Sequence, residues 1–445
     1  MKISIIGTGY VGLVSGVCLA SKGNEVICVD YDSQKIESIN KGISPIHEDG
    51  LEELLEKYIG NGFECTTDIQ FAITNTDVTI IAVGTPFLNG EINLEQVKNA
   101  AEEIGSCIKH KNSFHTVIVK STVVPGTTDN LVKESLESSS GKKCDDLFGL
   151  GMNPEFLREG MAVSDFMKPD RLVFGGTSCK VHSVMEEIYS EFSDIDIIRT
   201  SNNSAEMIKY TSNSLLATLI SFSNEIGNLC ENLMGVDSED IFKAVHLDKR
   251  LSPILASGDR IIPEINTYLR SGCGFGGSCF PKDVNALIAF GRNKGLQMSL
   301  LNSVIEINNL QPEKLISKLK KSYKSLDGLN ITILGLAFKP GTDDIRESPS
   351  LAVIKKLLQE KVVMNAYDPI AMNNAKKEFN QEEVKFSNNM RDAVFHADVI
   401  LVLTAWEEFK DLDIVLKENG LNPLVLDGRR FLNKTKFNKF EAVGM

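Results

Sequence analysis

The chain has 445 residues, enough for two or three domains of about 100 to 200 residues each. A formal net charge of -13 argues against a nucleic-acid or anionic-membrane surface, while leaving room for a local basic pocket that holds a phosphate. Nine scattered cysteines without a CxxC pair and six histidines without HxxxH spacing point away from a disulfide framework and a metal centre, and towards a reducing cytoplasm.

In chain order, residues 2–6, 25–30, 77–83 and 116–120 read as short β-branched strands with helical patterns between them. That alternation predicts a parallel sheet covered by helices. The N-terminal residues lack the charged start and long apolar run of a cleavable signal, and no apolar stretch approaches the ~20 residues of a membrane span. Residues 47–49, His-Glu-Asp, could mimic a metal site but read as a solvated loop. Further strands at 146–151, 171–175 and 195–199 carry the first domain to residue 200. Residues 203–234 then read as one long helix, with apolar side chains on more than one side, suited to joining domains or lining a subunit interface. From residue 329 the rhythm resumes, with strands at 330–335, 362–367, 398–403 and 423–427. The lysine- and serine-rich residues 317–327 are a linker or a solvated helix. The expected fold class is α/β, two doubly wound Rossmann-like domains joined by a long central helix. Its parts are 1–200, 201–310 and 311–445.

The run GTGYVG (Gly7, Thr8, Gly9, Tyr10, Val11, Gly12) follows the first strand and opens the first helix. In that context Gly7 makes the tight turn, Gly9 admits a pyrophosphate and Gly12 lets helix and strand pack closely. Asp30 ends the second strand, where a carboxylate accepts ribose hydroxyls and repels a 2'-phosphate, so NAD is favoured over NADP. Two more loops leave strand ends where such sheets bind ligands, one with Thr85 (VGTP) and one with Thr122 (STVVPG).

A second constellation, NPEFLREG at 153–160, places Glu155 and Glu159 in a loop on the same strand-end face. Lys209 and Asn213, four apart, share one face of the long helix. The third is GCGFGGSCFPKD at 272–283, where Cys279 sits among glycines just before Lys282 and Asp283. Two readings of Cys279 stand: a compact buried residue in a turn, or a nucleophile whose thiolate Lys282 favours while Asp283 handles a water or proton.

These motifs, with EMIKYTSN at 206–213 and GLAFKPGTDDIRES at 335–348, occur in the order seen in the UDP-glucose/GDP-mannose dehydrogenases, which the chain resembles over essentially its whole length. The resemblance implies NAD-dependent oxidation of the C6 alcohol of a nucleotide sugar to a carboxylate, through a thiohemiacetal and thioester on Cys279. It implies Lys209 at the developing oxyanion, Asp283 and Thr122 positioning a water or proton acceptor, Glu155 in hydrolysis, and Asn213 holding the sugar. For the cofactor it implies Gly7, Gly9, Tyr10, Val11, Gly12, Asp30, Lys35, Thr85, Thr122, Glu159, Lys282 and Arg346. For the substrate it implies Glu155, Phe156, Leu157, Arg158, Glu159, Lys209, Asn213, Arg260, Phe275, Gly276, Cys279, Phe338, Lys339 and Arg429. UDP-glucose is the favoured substrate, with GDP-mannose or another UDP-sugar as the alternative. No metal, nucleic-acid or membrane partner is expected, and a homodimer or larger homo-oligomer is. Residues 261–270 are longer and more proline-broken than in UDP-glucose enzymes, which leaves open whether Arg260 or Arg270 reaches a neighbouring subunit's substrate.

Overall fold

Alternation along buried strands divides the first sheet into two apolar faces: Ile3, Ile5 and Ile118 pack into one core, and Ile6, Val117 and Val119 into another. The computed structural model describes residues 1–380 and 382–445 and divides into two compact units, Met1–Ser212 and Asn213–Met445. The first contains β1 (Lys2–Ile6), β2 (Glu25–Val29), β3 (Phe63–Thr66), β4 (Val78–Ile81), the hairpin β5 (Phe87–Leu88) and β6 (Glu91–Ile92), β7 (His115–Val119), β8 (Phe148–Met152), β9 (Arg171–Gly176) and β10 (Asp196–Thr200). Eight of these strands form one sheet in the order β10-β9-β8-β7-β4-β1-β2-β3. Order reverses between β1 and β4, and at such a switch point the strand ends leave a crevice for a ligand. The sheet departs from the uniformly parallel expectation at β9, which runs antiparallel to β8 and continues parallel to β10.

The second unit contains β11 (Asn330–Leu334), β12 (Val363–Tyr367), β13 (Lys385–Phe386), β14 (Val399–Val402), β15 (Leu424–Asp427) and β16 (Phe440–Ala442). All pair in parallel in the order β13-β12-β11-β14-β15-β16, the same winding as the first domain. Gly335 after β11 has φ +97 and Gly7 after β1 has φ +99, so both sheets turn from strand to ligand loop through a left-handed glycine. The parallel extends to Asp368, which follows β12 as Asp30 follows β2. Asp368, fully buried, accepts from Leu336 N, Ala337 N, Ile370 N, Ala371 N and Trp406 Nε1 at 2.7 to 3.0 Å. Its acceptor positions are taken up by five groups of the chain itself.

The division between units falls within the helix Asn202–Cys230, close to the 203–234 expected. The second unit adds the helices Ser238–His246, Phe280–Asn293 and Ser299–Ser322 before β11. The last of these takes in the first half of the 317–327 segment, so that half is helical.

Candidate active site

Three glycines shape the first loop by contact. A Cβ on Gly7 would lie 2.7 Å from Ala82 O, and one on Gly12 would lie 1.9 Å from Gly7 O. A Cβ on Gly9 would meet nothing within 4 Å, which is the open space a pyrophosphate needs at the start of the helix Tyr10–Ser21. Asp30 accepts from Thr8 N at 3.0 Å and Thr8 Oγ1 at 2.6 Å, and pairs with Lys35 Nζ at 3.1 Å. Burial raises its pKa, but the Thr8 bonds and Lys35 outweigh this and bring it to about 2, so it is a carboxylate at any working pH. These residues fit the diphosphate and ribose of a dinucleotide. Thr85 Oγ1 donates to Thr122 O at 2.8 Å, which joins the two further strand-end loops.

Tyr10 has a second role. Its hydroxyl donates to Glu48 and accepts from Gly160 N at 2.7 Å, and Glu48 also accepts from Gly160 N at 2.7 Å and Ala162 N at 2.5 Å. Glu48 is 7% exposed, so it is no part of a solvated loop: it fastens the end of the 153–160 loop to the dinucleotide loop. No group of three or more metal-ligating side chains occurs among the described residues.

Within the 153–160 loop Glu155 and Lys209 form a buried ion pair at 2.8 Å. Burial raises the Glu155 pKa, but the Lys209 charge and the Leu157 N–H, at 2.6 Å, bring it below the ordinary carboxylate value. The Phe156 ring lies 3.9 Å from the Arg171 guanidinium and 5.5 Å from Lys209 Nζ. Arg158 makes a fork to Asp165 at 2.7 and 3.0 Å, and Glu159 is partly buried. Val11 is also partly buried, at the start of the first helix.

The second unit holds the thiol. Cys279 is the N-cap of the helix Phe280–Asn293, where Pro281 fits the first turn because its missing N–H has no partner to lose. The positive end of a helix favours a thiolate. Cys279 is half-buried, with Sγ 3.6 Å from Ser278 Oγ. One turn on, Asp283 is buried, accepts from Asn213 Nδ2 at 2.6 Å and pairs with Lys282 Nζ at 2.5 Å. Lys282 thus acts on the aspartate as its nearest charge.

The glycine loop before Cys279 is clamped from the C-terminal β/α part. A Cβ on Gly276 would lie 2.2 Å from Glu347 O, and one on Gly277, at φ +82, would lie 2.8 Å from the Phe338 ring. Gly277 N donates to Arg346 O at 2.9 Å, while the Arg346 guanidinium grips Asp344 at 2.7 and 2.8 Å. Phe275 packs on Phe280 with centroids 6.0 Å apart, and its N–H donates to Asn308 Oδ1 at 2.8 Å. Arg429 donates to Leu403 O, Gly274 O and Phe338 O at 2.6, 2.9 and 3.2 Å, and Lys339 Nζ lies 5.8 Å from the Phe338 ring. Its neighbour Arg430 is buried and pairs with Asp237 and Glu239. Arg260 donates to Leu247 O at 2.7 Å and Ser252 O at 2.9 Å, bracing its own loop, and Arg270 pairs with Glu239 at 3.0 Å.

The sequence places Glu48 in a solvated loop, which its burial corrects, and gives no sign of Asn308 or of the buried Lys120. Each is recognised only through partners far away in sequence, and no local pattern announces them.

Family models match along the chain: the UDP-glucose/GDP-mannose dehydrogenase family NAD binding domain at residues 1–193, its central domain at 203–310 and its UDP binding domain at 332–434. The UDP-glucose 6-dehydrogenase TuaD of Bacillus subtilis is 41% identical over 100% of this chain and 91% of its own length. The UDP-glucose 6-dehydrogenase AglM of Haloferax volcanii is 38% identical over 100% of both. A solved UDP-glucose dehydrogenase from Pyrobaculum islandicum superposes with a TM-score of 0.90 at 36% identity, covering 99% of this chain and 97% of that one. With its NAD-binding fingerprint, its loop-borne cysteine and these full-length matches, the chain belongs to the UDP-glucose/GDP-mannose dehydrogenase family.

Proposed function

We propose that the protein oxidises the C6 alcohol of UDP-glucose to the carboxylate of UDP-glucuronate, with Cys279 as covalent nucleophile. The observation that carries the reading is Cys279 capping a helix one turn before Asp283, which is itself bonded to Asn213. NAD, when bound, supplies the hydride acceptor for each of two oxidations. The alcohol loses a hydride and a proton to give the aldehyde. The Cys279 thiolate adds to it, forming a C–S bond while the carbonyl π electrons move to oxygen, where the Lys209 charge offsets the oxyanion. Loss of a second hydride from the carbon of this thiohemiacetal oxyanion lets the oxygen lone pair re-form the carbonyl and leaves a thioester. Water then attacks, the C–S bond breaks, and thiolate and acid separate. Glu155 acts as base in that hydrolysis, and Asp283 and Thr122 orient water or take up a proton. Asn213, Phe275, Gly276, Phe338, Lys339 and Arg429 serve the nucleotide sugar. Thr85, Glu159 and Arg346 serve the cofactor.

Two NADH per sugar and loss of acid formation in Cys279→Ser are the expected results; one NADH per sugar, or full acid-forming turnover in the serine variant, refutes the covalent route. A panel of UDP-, GDP-, CDP- and ADP-sugars separates UDP-glucose from GDP-mannose and other UDP-sugars. Functionally the chain divides into 1–200, 201–310 and 311–445, the last two together containing all of the second compact unit and residues 201–212 of the first. We place it in the cytoplasm, which its nine free cysteines support, and no helix among the described residues is long and apolar enough to cross a membrane. We assign it as at least a homodimer. Support comes from Leu215, Phe222 and Leu229, which recur every seven residues on the helix Asn202–Cys230 and are 52%, 49% and 57% exposed.

A further inference from the structure

Lys120 follows the end of β7 and is 4% exposed, a burial that lysine tolerates only with partners. Its ammonium donates to Asn153 Oδ1 at 2.9 Å and to Tyr189 OH at 3.3 Å. It lies 5.8 Å from the Phe166 ring centroid and 6.0 Å from that of Tyr189. Tyr189 OH donates to the same Asn153 oxygen at 2.7 Å, and Asn153 Nδ2 donates to Val173 O at 3.0 Å. Asn153 is therefore fixed from β7, from β9 and from the end of the helix Cys179–Ile188. It opens the loop that carries Glu155 two residues later.

Three buried charges result: Lys120, Glu155 at 7% exposure and Lys209 at 3%. Lys209, from the helix Asn202–Cys230, pairs directly with the carboxylate, while Lys120, from the end of β7, touches Asn153, Tyr189 and Phe166 and acts on Glu155 through its charge. Burial pushes the Lys120 ammonium down to about 8, the Glu155 charge opposing this and the Lys209 charge adding to it. The positive charge of Lys120 contributes in turn to the lowered pKa of Glu155.

We infer that Lys120 is a positioning residue for the dehydrogenase reaction: it anchors Asn153 at the head of the 153–160 loop and supplies the second buried positive charge that acts on Glu155. This deepens the proposed function and rests on its assignment of Glu155 to hydrolysis. Lys120 acts through Glu155, and its effect is on when Glu155 is a carboxylate. Removing the charge raises the Glu155 pKa, so the acid limb of turnover moves to higher pH.

The test is kcat against pH for the full chain with NAD and UDP-glucose. Lys120→Gln keeps a donor for Asn153 without the charge, and Lys120→Met removes both. In each the acid limb is expected about one pH unit higher, a loss of up to about tenfold in kcat on that limb, with KM for NAD within about twofold of the parent. Tyr189→Phe removes a hydrogen bond and keeps the charge, and is expected to leave the limb in place. Glu155→Gln separates the two ideas. If it retains the acid limb, the assignment of Glu155 fails; if it abolishes the limb and a folded Lys120→Gln leaves the limb unmoved, the role of Lys120 is overturned. Should neither lysine variant fold, Asn153→Asp sets a carboxylate against the Lys120 ammonium and offsets its charge; an upward limb supports the inference and an unmoved limb refutes it.

Discussion

Gly276→Ala tests whether the loop before Cys279 is held rigidly by the segment it packs on. The added Cβ would lie 2.2 Å from Glu347 O, 2.8 Å from Glu347 C and 3.1 Å from Pro349 Cδ, so loop or segment must retreat by roughly 1 Å to reach ordinary contact. The segment is poorly placed to give way. Glu347 already sits at φ +50, Ser348 caps the helix Pro349–Gln359 through Ser350 N, and Arg346 O accepts from Gly277 N. Overpacking of this kind costs about 1 to 3 kcal/mol. For a unit of this size that corresponds to a Tm fall of about 2 to 12 °C. A displacement of about 1 Å at a reacting group costs on the order of 100-fold in rate. The expected result is a folded protein whose kcat for acid formation falls by about that factor, with slower alkylation of Cys279 and an unchanged Kd for NAD, because the dinucleotide loop belongs to the other unit. A kcat within threefold of the parent together with an unchanged Tm would refute the claim that this contact sets the position of the thiol.

Glu206 accepts from Gly126 N at 2.6 Å and Thr128 N at 2.8 Å, and burial outweighs these bonds and raises its pKa to about 7 from an ordinary 4.5. The stability linked to that raised value is fully present below pH 4.5 and lost as pH rises through 7. It amounts to about 3 kcal/mol. Glu206→Gln should therefore gain on the parent in Tm by several degrees between pH 5 and pH 8, and a constant Tm difference over that range would contradict the assignment. Asp30→Ala removes a charged acceptor at the ribose end of the cofactor loop and should weaken NAD binding by about 10- to 100-fold while narrowing the preference over NADP; calorimetric Kd values unchanged for both cofactors would exclude that role. Phe222→Glu, and with less force Leu219→Glu on the partly covered side of the same helix, should lower the mass in solution by light scattering, and an unchanged mass for both would remove the helix from the interface.

The elements legible in the sequence are those whose signal is local. GTGYVG marked the turn, the helix start and the open space at Gly9, and alternating β-branched runs located β1, β2, β4 and β7 to within a residue or two. The helix 202–230 was visible because a proline-free run with helical periodicity needs no distant partner. Features that depend on long-range contacts were not. The reversal at β9 depends on which edge β8 offers, and the buried state of Glu48 depends on amide groups more than 100 residues away, at Gly160 and Ala162. Cys279 and Asp283 were found as a pair, but that Lys282 turns to Asp283, and that Arg429 grips three backbone carbonyls, follows from packing that no spacing encodes.

The three carbonyls held by Arg429 come from the loop after β14, from the glycine loop and from the loop after β11. The loop of Cys279, the proposed nucleophile, and the C-terminal β/α fold are therefore expected to melt as one cooperative element, with opening of either exposing both to hydrogen exchange together. Exchanging the last domain between relatives to change sugar preference would cut through this joint. A chimera that keeps a working thiol has to carry residues 272–280 along with the C-terminal part, so the natural unit of recombination here is defined by a guanidinium and its acceptors, and it crosses the boundary between the two family domains.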